Sequence, residues 1–163
     1  MPTELQNKLA RIFLVSSGLL LTVTAIAKLV SASGSARILQ YPDPVLSIPY
    51  RDVFWIVGVV ELGIALVCFM DKRVRLQAGL VAWLATNFVV YRLGLLWVGY
   101  HGWCHCLGNL TDALKISPQT ADTAMKIILG YLLVGSYATL LWLWSKNQQS
   151  PLANTPPATL HES

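Results

Sequence analysis

Four apolar stretches dominate this sequence, and their length restricts what the chain can fold into. They cover about residues 12–30, 53–70, 77–98 and 121–144. A helix needs about 20 residues to cross the hydrocarbon core of a bilayer. Because lipid offers no hydrogen-bond partners to backbone groups, stretches of this kind are expected to be helical. The sequence therefore predicts an all-α protein, an antiparallel bundle of four transmembrane helices.

The composition agrees with membrane insertion. Hydrophobic residues make up 55% of the chain and charged residues only 12%, whereas soluble domains carry about 25% charged residues. The net charge is +4, but the basic residues mostly flank the apolar stretches, as topology signals do. This pattern predicts a lipid bilayer as the partner and argues against a nucleic acid.

The basic residues also predict an orientation, since cytoplasmic segments are enriched in lysine and arginine. The residues that mark the cytoplasmic side are Lys8, Arg11, Lys72, Arg73, Arg75 and Lys146. We expect a cytoplasmic N-terminus over residues 1–11 and a disordered cytoplasmic tail over residues 145–163. An alternative is that the first stretch is a cleaved signal peptide ending near "SAS" at residues 31–33, although its length and Lys28 argue against cleavage.

The third and fourth stretches are joined by a segment that contains "HGWCHCLGNLTDALKISPQT". Cys104 and Cys106 would face an oxidising compartment on the outer side, where thiol pairs form disulfides. A disulfide across one residue closes a small, strained ring, so it is easily reduced and stabilises little. We therefore predict that this pair exchanges disulfides, with His105 as its neighbour. Ser117 as N-cap and Pro118 at the first position predict the start of the fourth helix.

Two other interpretations of the segment remain open. The cysteines could form a purely structural disulfide or remain two inert thiols. A metal ion could also be bound by His101, Cys104, His105 and Cys106. Zinc sites usually draw their ligands from two separated pairs, whereas a soft ion such as Cu(I) tolerates closely spaced ligands better. Cys68 is separate from this segment and is expected to be a buried structural thiol.

Ionisable residues inside the apolar stretches form a second candidate site. Glu61 lies in the middle of the second stretch, where a carboxylate is costly unless it is paired or protonated. It could accept hydrogen bonds from Lys28 or Arg92 in a polar cluster, with Asn87 nearby. Alternatively, Lys28 and Arg92 extend to the headgroups and Glu61 is neutral.

Three segments resemble the DoxX-like superfamily, and within it the MauE branch of redox-associated membrane proteins. They are "SGLLLTVTAIAKL" with Lys28, "VVELGIALVCF" with Glu61, and "CHCLG" with Cys104 and Cys106. The resemblance extends over residues 11–144. It implies a four-span protein of the bacterial inner membrane that takes part in periplasmic disulfide chemistry with a thioredoxin-like partner, in the maturation of secreted proteins.

The resemblance leaves the path of electrons open. Disulfide exchange needs an electron donor or acceptor, such as a membrane quinone or a second protein, and no motif in the sequence identifies a quinone site. A further alternative, suggested by DoxX-like proteins associated with quinol oxidases, is a non-enzymatic accessory subunit. In that case the bundle acts as the scaffold of a membrane redox complex.

Overall fold

The computed structural model describes residues 2–34, 37–71, 73–99 and 117–149. Within these ranges the chain is helical, with a short 3-10 helix at Arg37–Gln40 and no β-strand. Its α-helices are α1 (Pro2–Ser33), α2 (Tyr50–Met70), α3 (Val74–Trp97) and α4 (Pro118–Gln149). All four are long and apolar enough to cross a membrane.

The helices match the four predicted stretches. α2 and α3 each begin three residues before their stretches, and α1 and α4 extend further beyond theirs. α1 starts ten residues before the apolar stretch, since "TELQNKLAR" consists largely of good helix formers and Pro2 occupies the first position. α4 continues to Gln149, so residues 145–149 of the predicted disordered tail are helical. The polar residues there are compatible with a helix that has already been nucleated. Residues 150–163 lie outside the described residues.

The predicted start of α4 is confirmed. The helix begins at Pro118, and the Ser117 hydroxyl accepts a hydrogen bond from the Thr120 backbone N–H at 3.2 Å. Proline has no N–H to leave unpaired at this position, and the serine satisfies one of the orphan donors of the first turn.

α1 packs mainly against α2. Gly18 of α1 lies against Cys68 near the end of α2, whereas Leu29 of α1 lies against Gly58 near the start of α2. The order of contacts is therefore opposite along the two helices. At Gly18 and Gly58 the missing side chain lets the neighbouring helix approach closely, because an added Cβ would lie about 3 Å from it.

α3 packs mainly against α4. The Thr86 and Tyr137 hydroxyls share a hydrogen bond of 3.0 Å, and Arg92 pairs with Asp122. Fewer contacts join these two pairs of helices. The result is two closely packed pairs, α1 with α2 and α3 with α4. The pairs meet along a seam, and buried residues of all four helices form one hydrophobic core there.

Polar contacts join helix ends at one end of the structure. The Trp142 indole N–H donates to the Gln6 side chain at 2.8 Å, which joins the end of α4 to the start of α1. The Gln77 amide donates to the carbonyls of Val67, Cys68 and Asp71 and closes the turn between α2 and α3. One cavity is bordered by residues of all these segments. We call this end of the helices the basic end. It carries the exposed side chains of Lys8, Arg11, Arg73, Arg75 and Lys146.

The opposite end, called here the link end, carries the connection between α1 and α2. Leu39 of this connection is buried with Ala32 and Phe54. Pro42 and Pro49 face each other across an isolated β-bridge, which folds the segment back on itself. The prolines exclude a regular helix here.

Gly135 tests the contact between α1 and α4. A Cβ at this position would overlap the Phe13 ring, which also packs edge-on against Tyr131 with ring centroids 5.3 Å apart. We expect Gly135→Ala to lower the free energy of unfolding by about 1–3 kcal/mol, the usual cost of overpacking. The measurement is an SDS titration in detergent micelles, followed by tryptophan fluorescence.

Gly130→Ala is the matched control on the same helix. Among the described residues, no atom outside the local backbone of α4 lies within 4 Å of a Cβ added there. The higher helix propensity of alanine should therefore leave the protein unchanged or slightly more stable. Equal stability of the two variants would contradict this packing of α4 against α1.

Candidate functional site

A buried ion pair joins the first two helices. The Lys28 Nζ of α1 donates to both carboxylate oxygens of Glu61 on α2, at 2.7 and 2.9 Å. Lys28 is only 4% exposed and Glu61 only 1% exposed. Charged groups this deeply buried are rarely found without a partner. Of the two interpretations of these residues, the structure therefore shows the polar cluster, with neither side chain extended toward the helix ends.

Helical spacing explains the geometry of this pair. Thr24 lies one turn before Lys28 on the same face of α1, and its hydroxyl donates to Glu61 Oε2 at 3.1 Å. The carboxylate thus accepts three hydrogen bonds from α1. Satisfied hydrogen bonds of this kind offset part of the cost of removing two charges from water. The cluster also sets the register of α1 against α2, because a shift of one residue would separate the charges.

The pair borders the seam between the two pairs of helices. The Lys28 ammonium lies 5.6 Å from the centroid of the Phe88 ring on α3, within range of a cation–π contact. Lys28, Phe88 and Tyr91 line two cavities along this seam. The charged pair is therefore buried by protein on one side and adjoins open space on the other.

Arg92 does not join this cluster. It pairs with Asp122 of α4, which also pairs with Lys126 at 2.7 Å. The sequence predicts that Glu61 accepts hydrogen bonds from Lys28 or Arg92, and in the structure the donor is Lys28. Arg92 instead joins α3 to α4 near the link end. Asn87 is exposed, and its amide donates to the Trp83 carbonyl of its own helix.

The cysteine site predicted from the sequence lies outside the described residues, and with it His101, Cys104, His105 and Cys106. Cys68 is described: it is a free thiol, 4% exposed, in the core cluster with Leu21 and Ile64. Its prediction as a buried cysteine is confirmed. Among the described residues, no group of three His, Cys, Asp or Glu side chains could hold a metal ion.

Sequence reasoning missed Asp43, which lies in the connection between α1 and α2. It is 1% exposed, and its Oδ1 accepts hydrogen bonds from the backbone N–H groups of Val45 and Leu46 at 2.8 and 2.9 Å. The Tyr91 hydroxyl of α3 donates to Oδ2. The only local signal was "PDP", in which aspartate is favoured as the first residue of a turn. This contact fastens the connection over the link end of the seam.

Comparisons with protein-family models, curated proteins and solved structures found no match to this chain.

Breaking the buried pair should destabilise the protein strongly, since either partner would be left as an uncompensated charge. We expect Lys28→Met and Glu61→Leu each to lower the free energy of unfolding by about 3–5 kcal/mol. The double variant Lys28→Met/Glu61→Leu should recover much of that loss, because both charges are then replaced by apolar groups. SDS titration of the purified protein measures all three variants.

The control is Glu4→Gln. Glu4 is exposed in the first turn of α1, and surface changes of this type are usually within about 0.5 kcal/mol. If the losses of the single variants simply added in the double variant, the two side chains would not be energetically coupled.

Proposed function

We propose that this chain is an antiparallel bundle of four transmembrane helices in a bacterial inner membrane, with both termini cytoplasmic. The opposite order of contacts along α1 and α2, and the four apolar helices, support this arrangement. Five exposed basic side chains gather at the basic end. Since cytoplasmic segments are enriched in such residues, we assign the basic end to the cytoplasm and the link end to the periplasm.

We further propose that the protein takes part in periplasmic thiol–disulfide exchange through Cys104 and Cys106. The observation that carries this proposal is the position of the Cys-x-Cys pair in the sequence. The pair lies between Trp97, the last residue of α3, and Pro118, the first of α4, in the segment that joins these helices at the link end. Thiols on that side would meet an oxidising compartment.

The exchange follows ordinary thiol chemistry. A thiolate of one protein attacks a disulfide sulfur of the other, so that one S–S bond forms as another breaks and a thiolate leaves. The mixed disulfide is then resolved by the second thiolate of the attacking pair. The products are a disulfide in one protein and a dithiol in the other. We infer a thioredoxin-like periplasmic protein as the partner, in the maturation of secreted proteins, as the MauE-like resemblance implies.

The buried cluster supports this function indirectly. Lys28, Glu61 and Thr24 tie α1 to α2, and the Arg92–Asp122 pair ties α3 to α4. Arg92 lies five residues before the end of α3, and Asp122 lies in the second turn of α4. This pair therefore clamps the two helices that flank the cysteine segment. We assign Lys28, Glu61 and Arg92 a supporting role in which they hold the helices in register.

Trapping of a mixed disulfide tests the proposed exchange. Cys104→Ser and Cys106→Ser each leave one thiol that cannot be resolved within the pair. We expect one of these variants to accumulate an adduct with a thioredoxin-like protein in its native membranes. After acid quenching and alkylation, a non-reducing gel should show the adduct, reduction should abolish it, and mass spectrometry identifies the partner.

Cys68→Ser and the double variant Cys104→Ser/Cys106→Ser are the controls, and neither should give an adduct. Cys68 is buried and does not belong to the exchanging pair. If neither single variant captured a thiol protein, the exchange function would be refuted. A stoichiometric metal ion in the purified protein, lost in the same variants, would instead indicate a metal site.

A further inference from the structure

The larger cavity at the seam lies between α2 and α3, beside the buried ion pair. Its volume is about 480 Å³, within the range of about 300–1,000 Å³ that is usual for small-molecule sites. It extends along the half of these helices nearer the link end. Val53 and Val60 border it on α2, and Leu84 and Leu95 border it on α3.

Aromatic rings form much of the wall. The rings that border the cavity are those of Tyr50, Phe54, Trp83, Phe88 and Tyr91. Offset or edge-to-face packing against such rings favours a flat aromatic or quinonoid ligand over a flexible chain. The remaining lining consists largely of aliphatic side chains, which suits a molecule that partitions into lipid.

The cavity opens between α2 and α3 on the side of the helices, which would face lipid in the transmembrane arrangement that we propose. Ile56, Trp83 and Val90 border it and are 58%, 56% and 61% exposed. Exposed apolar side chains at a cavity mouth suit entry from lipid. A water-soluble ligand would gain nothing from this entrance, whereas a lipid-soluble ligand can leave its tail between the helices.

Polar groups are few and lie at defined points on the wall. Lys28 borders the cavity and also donates two hydrogen bonds to Glu61, and an ammonium group carries three N–H donors. The Asn87 amide borders the same space. An apolar pocket with a small number of placed donors is typical of a site that orients a carbonyl group.

From these features we propose that the cavity binds a lipid-soluble quinone. Its ring lies among the aromatic side chains, a ring carbonyl faces Lys28, and its tail passes between Ile56 and Val90 into the bilayer. An acyl chain would use the apolar walls but would offer no acceptor to the third N–H of the Lys28 ammonium, beyond the two that donate to Glu61.

The role of this quinone rests on the proposed thiol exchange. Oxidation of the Cys104–Cys106 dithiol breaks two S–H bonds and forms one S–S bond. The two electrons and two protons released convert the quinone into the quinol, in which both ring oxygens carry a proton. The quinone would thus be the electron acceptor for the cysteine pair.

Photolabelling tests the site directly. The full chain is placed in phosphatidylcholine nanodiscs and irradiated with an azido-benzoquinone that carries a decyl tail. We expect saturable labelling of peptides from residues 53–60 and 83–95, displaced by unlabelled decyl-benzoquinone. Decanol, which has the same tail and no ring, should not displace the probe.

Two matched substitutions on α2 distinguish probe binding in the cavity from probe binding at the exposed surface of the helix. Val57 borders the cavity, whereas Val59 does not and is 56% exposed. Val57→Phe fills the cavity and should weaken labelling at least tenfold, whereas Val59→Phe should change it less than twofold. Val90→Phe, at the exposed mouth, repeats the test from α3 if Val57→Phe does not fold, as judged by circular dichroism.

Three results would overturn the quinone site. They are labelling that does not saturate, equal labelling of the Val57→Phe and Val59→Phe variants, and displacement by decanol as effective as by the quinone. The last result would indicate that an acyl chain occupies the cavity.

The cysteines distinguish this proposal from the exchange function. The double variant Cys104→Ser/Cys106→Ser should bind the probe as the unmodified protein does, because the contacts proposed for the quinone come from Lys28 and from residues of α2 and α3. If the probe bound saturably but no mixed disulfide were trapped, the thiol–disulfide exchange would be refuted and the quinone site would stand. If a mixed disulfide were trapped but the probe did not bind saturably, the quinone site would be refuted and the thiol–disulfide exchange would stand.

Discussion

The buried pair of Lys28 and Glu61 is the interaction on which the rest of the structure depends. Both side chains are almost fully excluded from solvent, and Thr24 supplies a third hydrogen bond to the carboxylate. In a low-dielectric interior neither charge is tolerated alone, so α1 and α2 are confined to the one register that joins them. Apolar packing alone would allow neighbouring registers at much smaller cost, because helices in lipid lack a hydrophobic drive to associate.

The register of α1 against α2 determines where a cavity remains between the helices. α1 with α2 and α3 with α4 form two closely packed pairs, and contacts between the pairs are sparse. Lys28 lies where the pairs meet, with Phe88 of the second pair near its ammonium group. The cavity beside Lys28 follows from this packing. The ion pair of Lys28 and Glu61 closes the interface between α1 and α2, and it holds the Lys28 ammonium at the edge of the interface between the two helix pairs. Asp43 and Tyr91 fasten the connection between α1 and α2 across the same region.

The two ends of the helices differ in chemistry. The basic end carries five exposed basic side chains, whereas at the link end Arg92 pairs with Asp122 and Arg51 donates to the Gly34 carbonyl. Such asymmetry is a topology signal in membrane proteins, and the orientation that we propose from it places the connection between α3 and α4 away from the cytoplasm. The proposed chemistry uses this separation, since exchangeable disulfides persist only in an oxidising compartment.

The sequence by itself determined the helical class, the four candidate spans, the start of α4 at Pro118 and the burial of Cys68, because apolar length and capping residues act locally. It narrowed the partners of Glu61 to Lys28 and Arg92 without deciding between them. Only the tertiary structure decided that Lys28 is the partner, that Arg92 pairs with Asp122, that Asp43 is buried beneath Tyr91, and that a cavity lies between α2 and α3. These features depend on the rotation and register of helices far apart in the chain, and hydropathy carries no information about either.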